Sequence, residues 1–203
     1  MAGILITIEG IEGAGKTTLA AALAERLRAG GREVVLTSEP GGGPVGGSIR
    51  RILLDPANSI TDRAELLLFE AARTQHVETL IRPALERGAV VICDRYIDSS
   101  TAYQGAARGL GIDAVRQLND FATGGLKPDI TILLDLAADR GLERQLKVDR
   151  VSSESMAFHE AVRQGFLEAA GMEPERFVVI DASMPFELVM EKAVEALSRR
   201  GIT

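Results

Sequence analysis

Residues 4–19, with the sequence ILITIEGIEGAGKTTL, constrain the fold of this chain more than any other segment. The first half is an apolar run that predicts a buried parallel strand, because helices cover both faces of such strands. The second half fits the phosphate-loop pattern G-x-x-x-x-G-K-S/T, with Gly10, Gly15, Lys16 and Thr17 at the fixed positions. A strand, this loop and a helix in succession predict binding of a nucleoside triphosphate.

The chemistry of triphosphate binding explains the spacing of these residues. Glycines let successive backbone N–H groups turn toward an anion, and the N-terminus of the following helix adds partial positive charge. Lys16 is placed to reach the β- and γ-phosphates, and the Thr17 hydroxyl to ligate Mg²⁺. The ATP site predicted in this way comprises Gly10, Ile11, Glu12, Gly13, Ala14, Gly15, Lys16, Thr17 and Thr18.

The composition limits the possible partners and the cellular compartment. The chain has 203 residues, of which 46% are hydrophobic, and a net charge of −6. This balance suits one globular domain spanning residues 1–203 and argues against a nucleic-acid partner. The single cysteine, Cys93, lies in an apolar run and is expected to be a core residue of a protein in a reducing compartment. We see no signal-peptide pattern and no membrane-spanning run, and we expect a cytoplasmic protein without a membrane partner.

Apolar runs alternate with helical patterns along the rest of the chain. Further strands are predicted at 34–37, 89–93, 130–134 and 177–180, and helices at 16–29, 61–86, 112–121, 154–170 and 185–200. Pro83 is expected to bend or split the second helix. Residues 38–47 are expected to form an irregular glycine-rich loop, with the end of a helix at 49–54. The pattern predicts an α/β fold of three layers, in which helices flank a five-stranded parallel sheet as in P-loop NTPases.

Asp94 follows the apolar run at 89–93 and begins the sequence Asp94-Arg95-Tyr96. A P-loop protein places its Mg²⁺-side carboxylate at the carboxyl end of a buried strand. We therefore assign the metal site to Thr17 and Asp94. The adjacent Arg95 indicates that the same edge of the sheet handles phosphate.

Two other segments are candidates for a base and sugar site. Phe69 and Arg73 share a helix face and suit a flat heterocycle, although a core phenylalanine and a solvated arginine are the commoner explanation. The segment 98–105, DSSTAYQG, carries hydroxyl and amide groups, although a helix cap at Asp98 or Ser99 would also account for it. His76 and His159 are expected to be structural or solvated residues.

These motifs occur together in a fixed order: the phosphate loop, EPGG at 39–42, Leu-Phe-x-x-x-Arg, DRY at 94–96 and DSSTAYQG. In this combination the chain resembles the bacterial thymidylate kinases, a family of P-loop nucleoside monophosphate kinases. The resemblance extends past LKPD at 126–129 to the last strand and helix. It implies direct in-line transfer of a phosphoryl group from MgATP to dTMP, a step of dTTP biosynthesis, and a homodimer.

The resemblance also implies roles for individual residues. Phe69 would stack on thymine, and Arg73 would bond its O4 edge. Ser100 and Gln104 would meet the remaining edge, and Tyr103 would lie against the 2′ position of the sugar. Glu12 would face the 3′-hydroxyl or a metal-bound water, and Arg50 and Arg95 would hold the dTMP phosphate. The complete dTMP set is Glu12, Arg50, Phe69, Arg73, Arg95, Ser99, Ser100, Tyr103 and Gln104.

Two positions depart from the family pattern. Ser38 stands where an arginine usually precedes EPGG, and Ala14 stands where some members place an arginine inside the phosphate loop. A mobile cation near the γ-phosphate contributes orders of magnitude to the rate of phosphoryl transfer. We therefore expect that cation from a short lid at about 144–153, RQLKVDRVSS.

Within this lid, Arg150 and Arg144 rank ahead of Lys147, because a lysine lacks the planar guanidinium fork. The predicted catalytic set is Lys16, Asp94, Arg95, Arg144 and Arg150. Adenine is expected near the loop after the last strand, at 181–183.

Two other interpretations stay open at this point. A kinase for dUMP or another monophosphate would differ only in the pocket residues, and dUMP differs from dTMP by one methyl group. A P-loop switch or assembly ATPase would act through a partner instead. A GTPase switch is expected to carry Asp-x-x-Gly and Asn-Lys-x-Asp, whereas this chain has DRY at 94–96 and LKPD at 126–129.

Overall fold

The computed structural model describes residues 3–145 and 149–202. Five strands form a parallel sheet in the order β2-β3-β1-β4-β5. They are β1 (Ile4–Glu9), β2 (Val34–Ser38), β3 (Val90–Asp94), β4 (Ile130–Asp135) and β5 (Phe177–Asp181). The chain builds β2 and β3 on one side of β1, and β4 and β5 on the other. The carboxyl end of β1 is therefore a topological switch point, where ligands bind in α/β sheets.

Helices connect the strands and cover the sheet. The α-helices are α1 (Lys16–Ala29), α2 (Pro44–Leu54), α3 (Asp62–His76), α4 (Arg82–Glu86), α5 (Ile97–Ser100), α6 (Ile112–Thr123), α7 (Ala138–Arg144), α8 (Met156–Met172) and α9 (Phe186–Arg199). Two π-helical segments, Val77–Ile81 and Thr101–Ala107, continue α3 and α5. In the part of the chain that the structure describes, no helix combines the length and apolar character needed to cross a membrane.

The hydrophobic core lies on both faces of the sheet. Ile6 and Ile8 of β1 belong to a cluster that includes residues of α1, α8 and α9. Leu5, the residue directly before Ile6, belongs to a second cluster with Val77 and Ile81. Successive residues of a strand point to opposite faces, so a strand that is buried on both sides is apolar along its whole length. The predicted three-layer α/β architecture is confirmed.

The predicted glycine-rich loop is shorter than expected, because α2 begins at Pro44 and includes Gly46 and Gly47. Proline at the first positions of a helix has a suitable φ and loses no helical hydrogen bond. Gly46 is buried, and a Cβ there would collide with the carbonyl oxygen of Gly41. Gly46 therefore allows two backbone segments to pack closely. The glycine-rich composition alone had suggested an irregular loop here.

The long helix predicted at 61–86 is interrupted before Pro83, as expected. α3 ends at His76, the π-helical segment Val77–Ile81 follows, and α4 contains the proline. Pro83 has no backbone N–H to continue the regular hydrogen-bond ladder, and the wider turn directly before it accommodates that gap. The ends of the other predicted strands and helices lie within two residues of the observed ends.

Candidate active site

The phosphate loop lies between β1 and α1, at the switch point of the sheet. Gly13 and Gly15 have φ angles of 71° and 94°, in the left-handed region that favours glycine. A Cβ at Gly13 would also collide with the carbonyl oxygen of Gly141. Gly15 is the N-cap of α1 and offers no capping side chain. The first backbone N–H groups of α1 are therefore available to an anion.

Lys16 lies over this loop and donates a hydrogen bond from Nζ to the carbonyl oxygen of Ile11 at 2.6 Å. Its side chain lines the cleft, yet the residue is only 7% exposed. Burial lowers the pKa of Lys16 to about 8, and the nearby Arg95 acts in the same direction. Asp94 and Glu12 oppose the shift. A phosphate group in the cleft would add negative charge and stabilise the protonated amine.

Thr17 and Asp94 meet at the carboxyl end of β3. The Thr17 hydroxyl donates to Asp94 Oδ2 at 2.5 Å. Asp94 Oδ1 is buried and has no hydrogen-bond partner among the described residues. Magnesium prefers hard oxygen ligands, and a carboxylate oxygen without a partner beside a hydroxyl is such a donor set. The predicted metal residues therefore fit a divalent ion.

A cleft of about 580 Å³ extends from the phosphate loop toward α3 and the π-helical segment Thr101–Ala107. This volume lies in the range that holds a ligand of nucleotide size. The cleft brings together most of the predicted dTMP residues. Those that line it are Glu12, Arg50, Phe69, Arg95, Ser99, Ser100, Tyr103 and Gln104.

Arg95 adopts an unusual backbone conformation, with a φ of 69° in a residue other than glycine. Its N–H donates to the Ile8 carbonyl at 3.0 Å, and its guanidinium donates to Gly10 O, Ser99 Oγ and Glu12 Oε1. The guanidinium also lies over the ring of Tyr103, 5.0 Å from the centroid. Such strain persists only where many contacts support it, and it clusters at functional sites.

Glu12 connects the phosphate loop with the helical side of the cleft. Its Oε1 accepts from Arg95 at 2.9 Å and from the Tyr103 hydroxyl at 2.6 Å, and Oε2 lies 3.2 Å from His159 Nδ1. Burial opposes ionisation of Glu12, but Arg95, His159 and the other neighbours outweigh it and hold its pKa well below the usual range. Glu12 is therefore a carboxylate at neutral pH. His159, expected to be structural or solvated, is a buried neighbour of the site.

Arg73 lies beneath the base pocket and is not among the residues that line the cleft. It is 1% exposed, and its guanidinium donates to Glu39, Glu70 and Ser100. It also donates to Asn119 Oδ1 and to the carbonyl oxygen of Tyr96. Arg73 reaches the surface of the pocket through Ser100 and Glu39, which both line the cleft. Its expected bond to the O4 edge of thymine stays a prediction.

The two lid arginines lie away from the cleft lining in this structure. Arg144 donates to the carbonyl oxygen of Ala182 at 3.0 Å, in the loop expected to hold adenine. Arg150 donates to the carbonyl oxygen of Leu53 at 2.7 Å and to Glu65 Oε2 at 2.6 Å. Lys147 lies outside the described residues. The source of the transition-state cation therefore stays a prediction.

Glu39, His76 and Cys93 form a buried cluster of potential metal ligands. All three already have partners: His76 bonds Thr37 and Glu39, Glu39 pairs with Arg73, and the Cys93 thiol donates to the Arg95 carbonyl. Burial raises the pKa of Cys93, which keeps the sulfur protonated and a poor metal ligand. We interpret the cluster as a hydrogen-bond network, in agreement with the structural roles expected for His76 and Cys93.

Sequence reasoning missed Glu9, the last residue of β1, which is fully buried. Its Oε1 accepts from the backbone N–H of Tyr96 at 2.7 Å, and its Oε2 accepts from the Ser99 hydroxyl at 2.6 Å. Glu9 thereby holds the turn that carries Asp94 and Arg95. An acidic residue at the end of an otherwise apolar strand is the signal that could have revealed it.

Glu9 makes stability depend on pH in a predictable direction. Burial raises the pKa of Glu9 from 4.5 to about 8, and Asp98 reinforces the shift. Between pH 4.5 and about pH 8, the Glu9 carboxyl group keeps its proton in the folded protein but has lost it in the unfolded chain. The stability this proton contributes is complete below the lower pKa and is lost as pH rises through the higher one. Relative to Glu9→Gln, the wild-type free energy of unfolding should fall by up to ~1.4 kcal/mol per pH unit.

Urea denaturation of both proteins at about pH 5.5, 7 and 8.5 measures this difference. A difference between wild type and Glu9→Gln that stays constant or grows with pH would contradict the raised pKa of Glu9.

With this geometry established, comparison with known proteins identifies the relatives of the chain. The sequence profile of the family described as Thymidylate kinase matches residues 8–193. A thymidylate kinase of Deinococcus radiodurans is 50% identical over 202 residues, covering 98% of each chain, and one of Pseudomonas fluorescens is 51% identical over 195 residues, covering 94% and 93%. The crystal structure of thymidylate kinase from Ehrlichia chaffeensis superimposes with a TM-score of 0.81 at 36% identity, over 97% of this chain and 99% of that one. The chain belongs to the thymidylate kinase family.

Proposed function

We propose that this protein transfers the γ-phosphoryl group of ATP, bound with Mg²⁺, to dTMP and releases ADP and dTDP. One observation carries the proposal: a single cleft joins the phosphate loop with Lys16 to a pocket lined by Arg95, Phe69 and Gln104. A donor triphosphate and a small acceptor therefore have adjacent places in one cavity. The relatives named thymidylate kinase, which match over nearly their whole length, support dTMP as the acceptor.

At the donor end, Lys16 and the N–H groups at the start of α1 would hold the β- and γ-phosphates. Thr17 and Asp94 would hold Mg²⁺, whose charge neutralises the oxygens of the transferring group. The Asp94 oxygen that has no partner among the described residues supports this assignment. Adenine would lie near 181–183, where Asp181 accepts from the backbone N–H of Ser183 at 2.8 Å.

At the acceptor end, Arg95 and Arg50 would hold the dTMP phosphate. A guanidinium offers five N–H donors in a planar fork that suits phosphate oxygens. Phe69 would stack on thymine, with Ser99, Ser100 and Gln104 around the base and sugar. The Tyr103 hydroxyl is tied to Glu12, and this rigid pair would crowd a 2′-hydroxyl and disfavour ribonucleotides.

We propose that residues 144–153 form a lid and that Arg150 or Arg144 supplies the transition-state cation. Arg150 would first have to leave Glu65, and Arg144 would have to leave Ala182. Separate Arg144→Ala and Arg150→Ala variants test the idea through kcat. Near-normal kcat in both variants would overturn it.

The function is tested by coupled assay of ADP release with MgATP and a panel of dTMP, dUMP, dCMP, dGMP, dAMP and UMP. We expect strong stimulation by dTMP, roughly tenfold or more lower kcat/KM for dUMP because one methyl group is missing, and little stimulation by the others. Turnover that ignores every monophosphate would overturn the kinase function. Stimulation led by another base would overturn the pocket assignment alone.

We also propose a homodimer, supported by exposed apolar side chains on two packed helices. Phe121 of α6 is 87% exposed and Leu67 of α3 is 57% exposed, and the two helices contact each other. Large apolar groups on a surface are typical of protein interfaces. Sedimentation velocity should show a dimer that Phe121→Asp dissociates, with Phe186→Asp on α9 as a control that stays dimeric. A monomeric wild type would contradict the proposal.

A cytoplasmic location completes the proposal. The buried free thiol of Cys93 suits a reducing compartment, and the reaction needs a supply of ATP. Cell fractionation with detection of the chain in the membrane or secreted fraction would contradict it.

A further inference from the structure

Glu65 of α3 lies behind the predicted base pocket without lining it. It is 1% exposed and has three polar neighbours from distant parts of the chain. Its Oε1 accepts from Gln104 Nε2 at 2.8 Å. Its Oε2 accepts from Arg150 at 2.6 Å and from Arg108 at 3.2 Å. Glu65 therefore connects a residue that lines the cleft with the lid.

The charge of Glu65 determines which end of the Gln104 amide can face it. Burial opposes ionisation of Glu65, but the hydrogen bonds from Gln104, Arg108 and Arg150 outweigh it and lower its pKa. An ionised carboxylate only accepts hydrogen bonds, so it pairs with the NH₂ end of an amide and repels the oxygen. Among the described residues, none donates to the Gln104 amide oxygen, which is left as the end available to a ligand in the cleft.

The same neighbours keep Glu65 in place. Arg108 also pairs with Glu154 at 2.6 Å and lies over the ring of Phe158, 4.5 Å from the centroid. Arg150 is anchored by its second bond, to the Leu53 carbonyl. Rotation of the Gln104 amide would place its oxygen against the Glu65 carboxylate in a buried position. Both groups accept hydrogen bonds, so each would lose its partner at a cost in free energy. The orientation of the amide is thus built into the pocket before any ligand arrives.

We propose that Glu65 is a specificity-determining residue, which holds the Gln104 amide oxygen toward the base and so selects pyrimidines that carry an N–H at ring position 3. Thymine and uracil have this donor, whereas cytosine has a lone pair there. The inference rests on the proposed function and on the base pocket assigned to Gln104. A cytosine in the same place would set its N3 lone pair against the amide oxygen and leave both without a partner.

Glu65→Gln tests the proposal, because a neutral amide of the same shape can donate or accept and lets Gln104 turn. The measurement is the Ki of dCMP as a competitor of dTMP, compared with the KM for dTMP. We expect the ratio of Ki to KM to fall by about tenfold, equivalent to ~1.4 kcal/mol. Glu160→Gln is the matched control: Glu160 also accepts from a glutamine, Gln164, at 2.9 Å, but neither residue lines the cleft, and the ratio should stay at the wild-type value.

Gln104→Met provides a second route should Glu65→Gln lose its fold. It removes the amide, so the ratio should fall as it does in Glu65→Gln, and adding Glu65→Gln to it should produce no further fall. Variants that lose dTMP turnover while the ratio stays unchanged would overturn the proposal and leave Glu65 a structural residue. A wild type without dTMP-dependent ADP release would instead overturn the proposed function.

Discussion

Lys16→Met is expected to lower kcat on the order of 10³-fold while the protein keeps its fold. Lys16 places its ammonium over the phosphate loop, bonded to the Ile11 carbonyl in a buried position. In such a position a preorganised positive group stabilises the charge that develops on a transferring phosphoryl group. Removing one such donor typically costs a factor of 10²–10³. Methionine retains the length and the apolar stem of the lysine side chain, so the loss of kcat should come from the missing positive charge.

Single-turnover and steady-state assays with saturating dTMP would measure this effect. Lys192→Met is the matched control, because Lys192 is an exposed lysine of α9 and its replacement should leave kcat unchanged. A Lys16→Met variant with kcat within about tenfold of wild type would be inconsistent with the proposed role of Lys16 at the donor phosphates.

Arg95→Lys is expected to lower kcat/KM for dTMP on the order of 10²-fold, although the positive charge is retained. The guanidinium bonds Gly10 O, Ser99 Oγ and Glu12 and lies over the Tyr103 ring. An ammonium is a point charge and cannot reproduce this planar set of contacts. Misplacement of a reacting phosphate by about 1 Å is enough for a loss of this size. The KM for ATP should change little, because Lys16 and the phosphate loop are the groups proposed to hold the donor.

Arg87→Lys is the matched control for this prediction. Arg87 is exposed and pairs only loosely with Glu33 at 3.5 Å, so its replacement should leave kcat/KM unaltered. If Arg95→Lys raised the KM for ATP and left that for dTMP unchanged, Arg95 would belong to the donor site instead.

The fold was largely predictable because its strongest signals are local. Continuous apolar runs such as residues 89–93 identify strands buried on both faces, and the alternation of strand and helix implies a parallel sheet. The phosphate loop and Asp94 are predictable for the same reason, since each is defined by neighbours within a few positions. The start of α2 at Pro44 was missed because glycine-rich composition outweighed the proline signal.

The surroundings of the site were much less predictable, because their contacts join distant parts of the chain. Glu9 bonds Tyr96 and Ser99, and Arg73 bonds Asn119, across 46 positions. Helical spacing placed Arg73 beside Phe69 on one face, but all the acceptors around Arg73 except Glu70 come from other elements. Whether a buried arginine faces a ligand or a carboxylate depends on those acceptors, since a buried charge needs partners.

The amino-acid sequence by itself determined the α/β class, the position of the phosphate loop and the place of Asp94 at the end of a buried strand. These features follow from periodicity and from residues that are neighbours in the chain. Only the tertiary structure decided that Arg73 lies beneath the pocket, that Arg150 is bound to Glu65 and that Glu65 orients Gln104. The physical reason is that buried polar groups must find partners, and packing of the whole chain decides which partners are within reach.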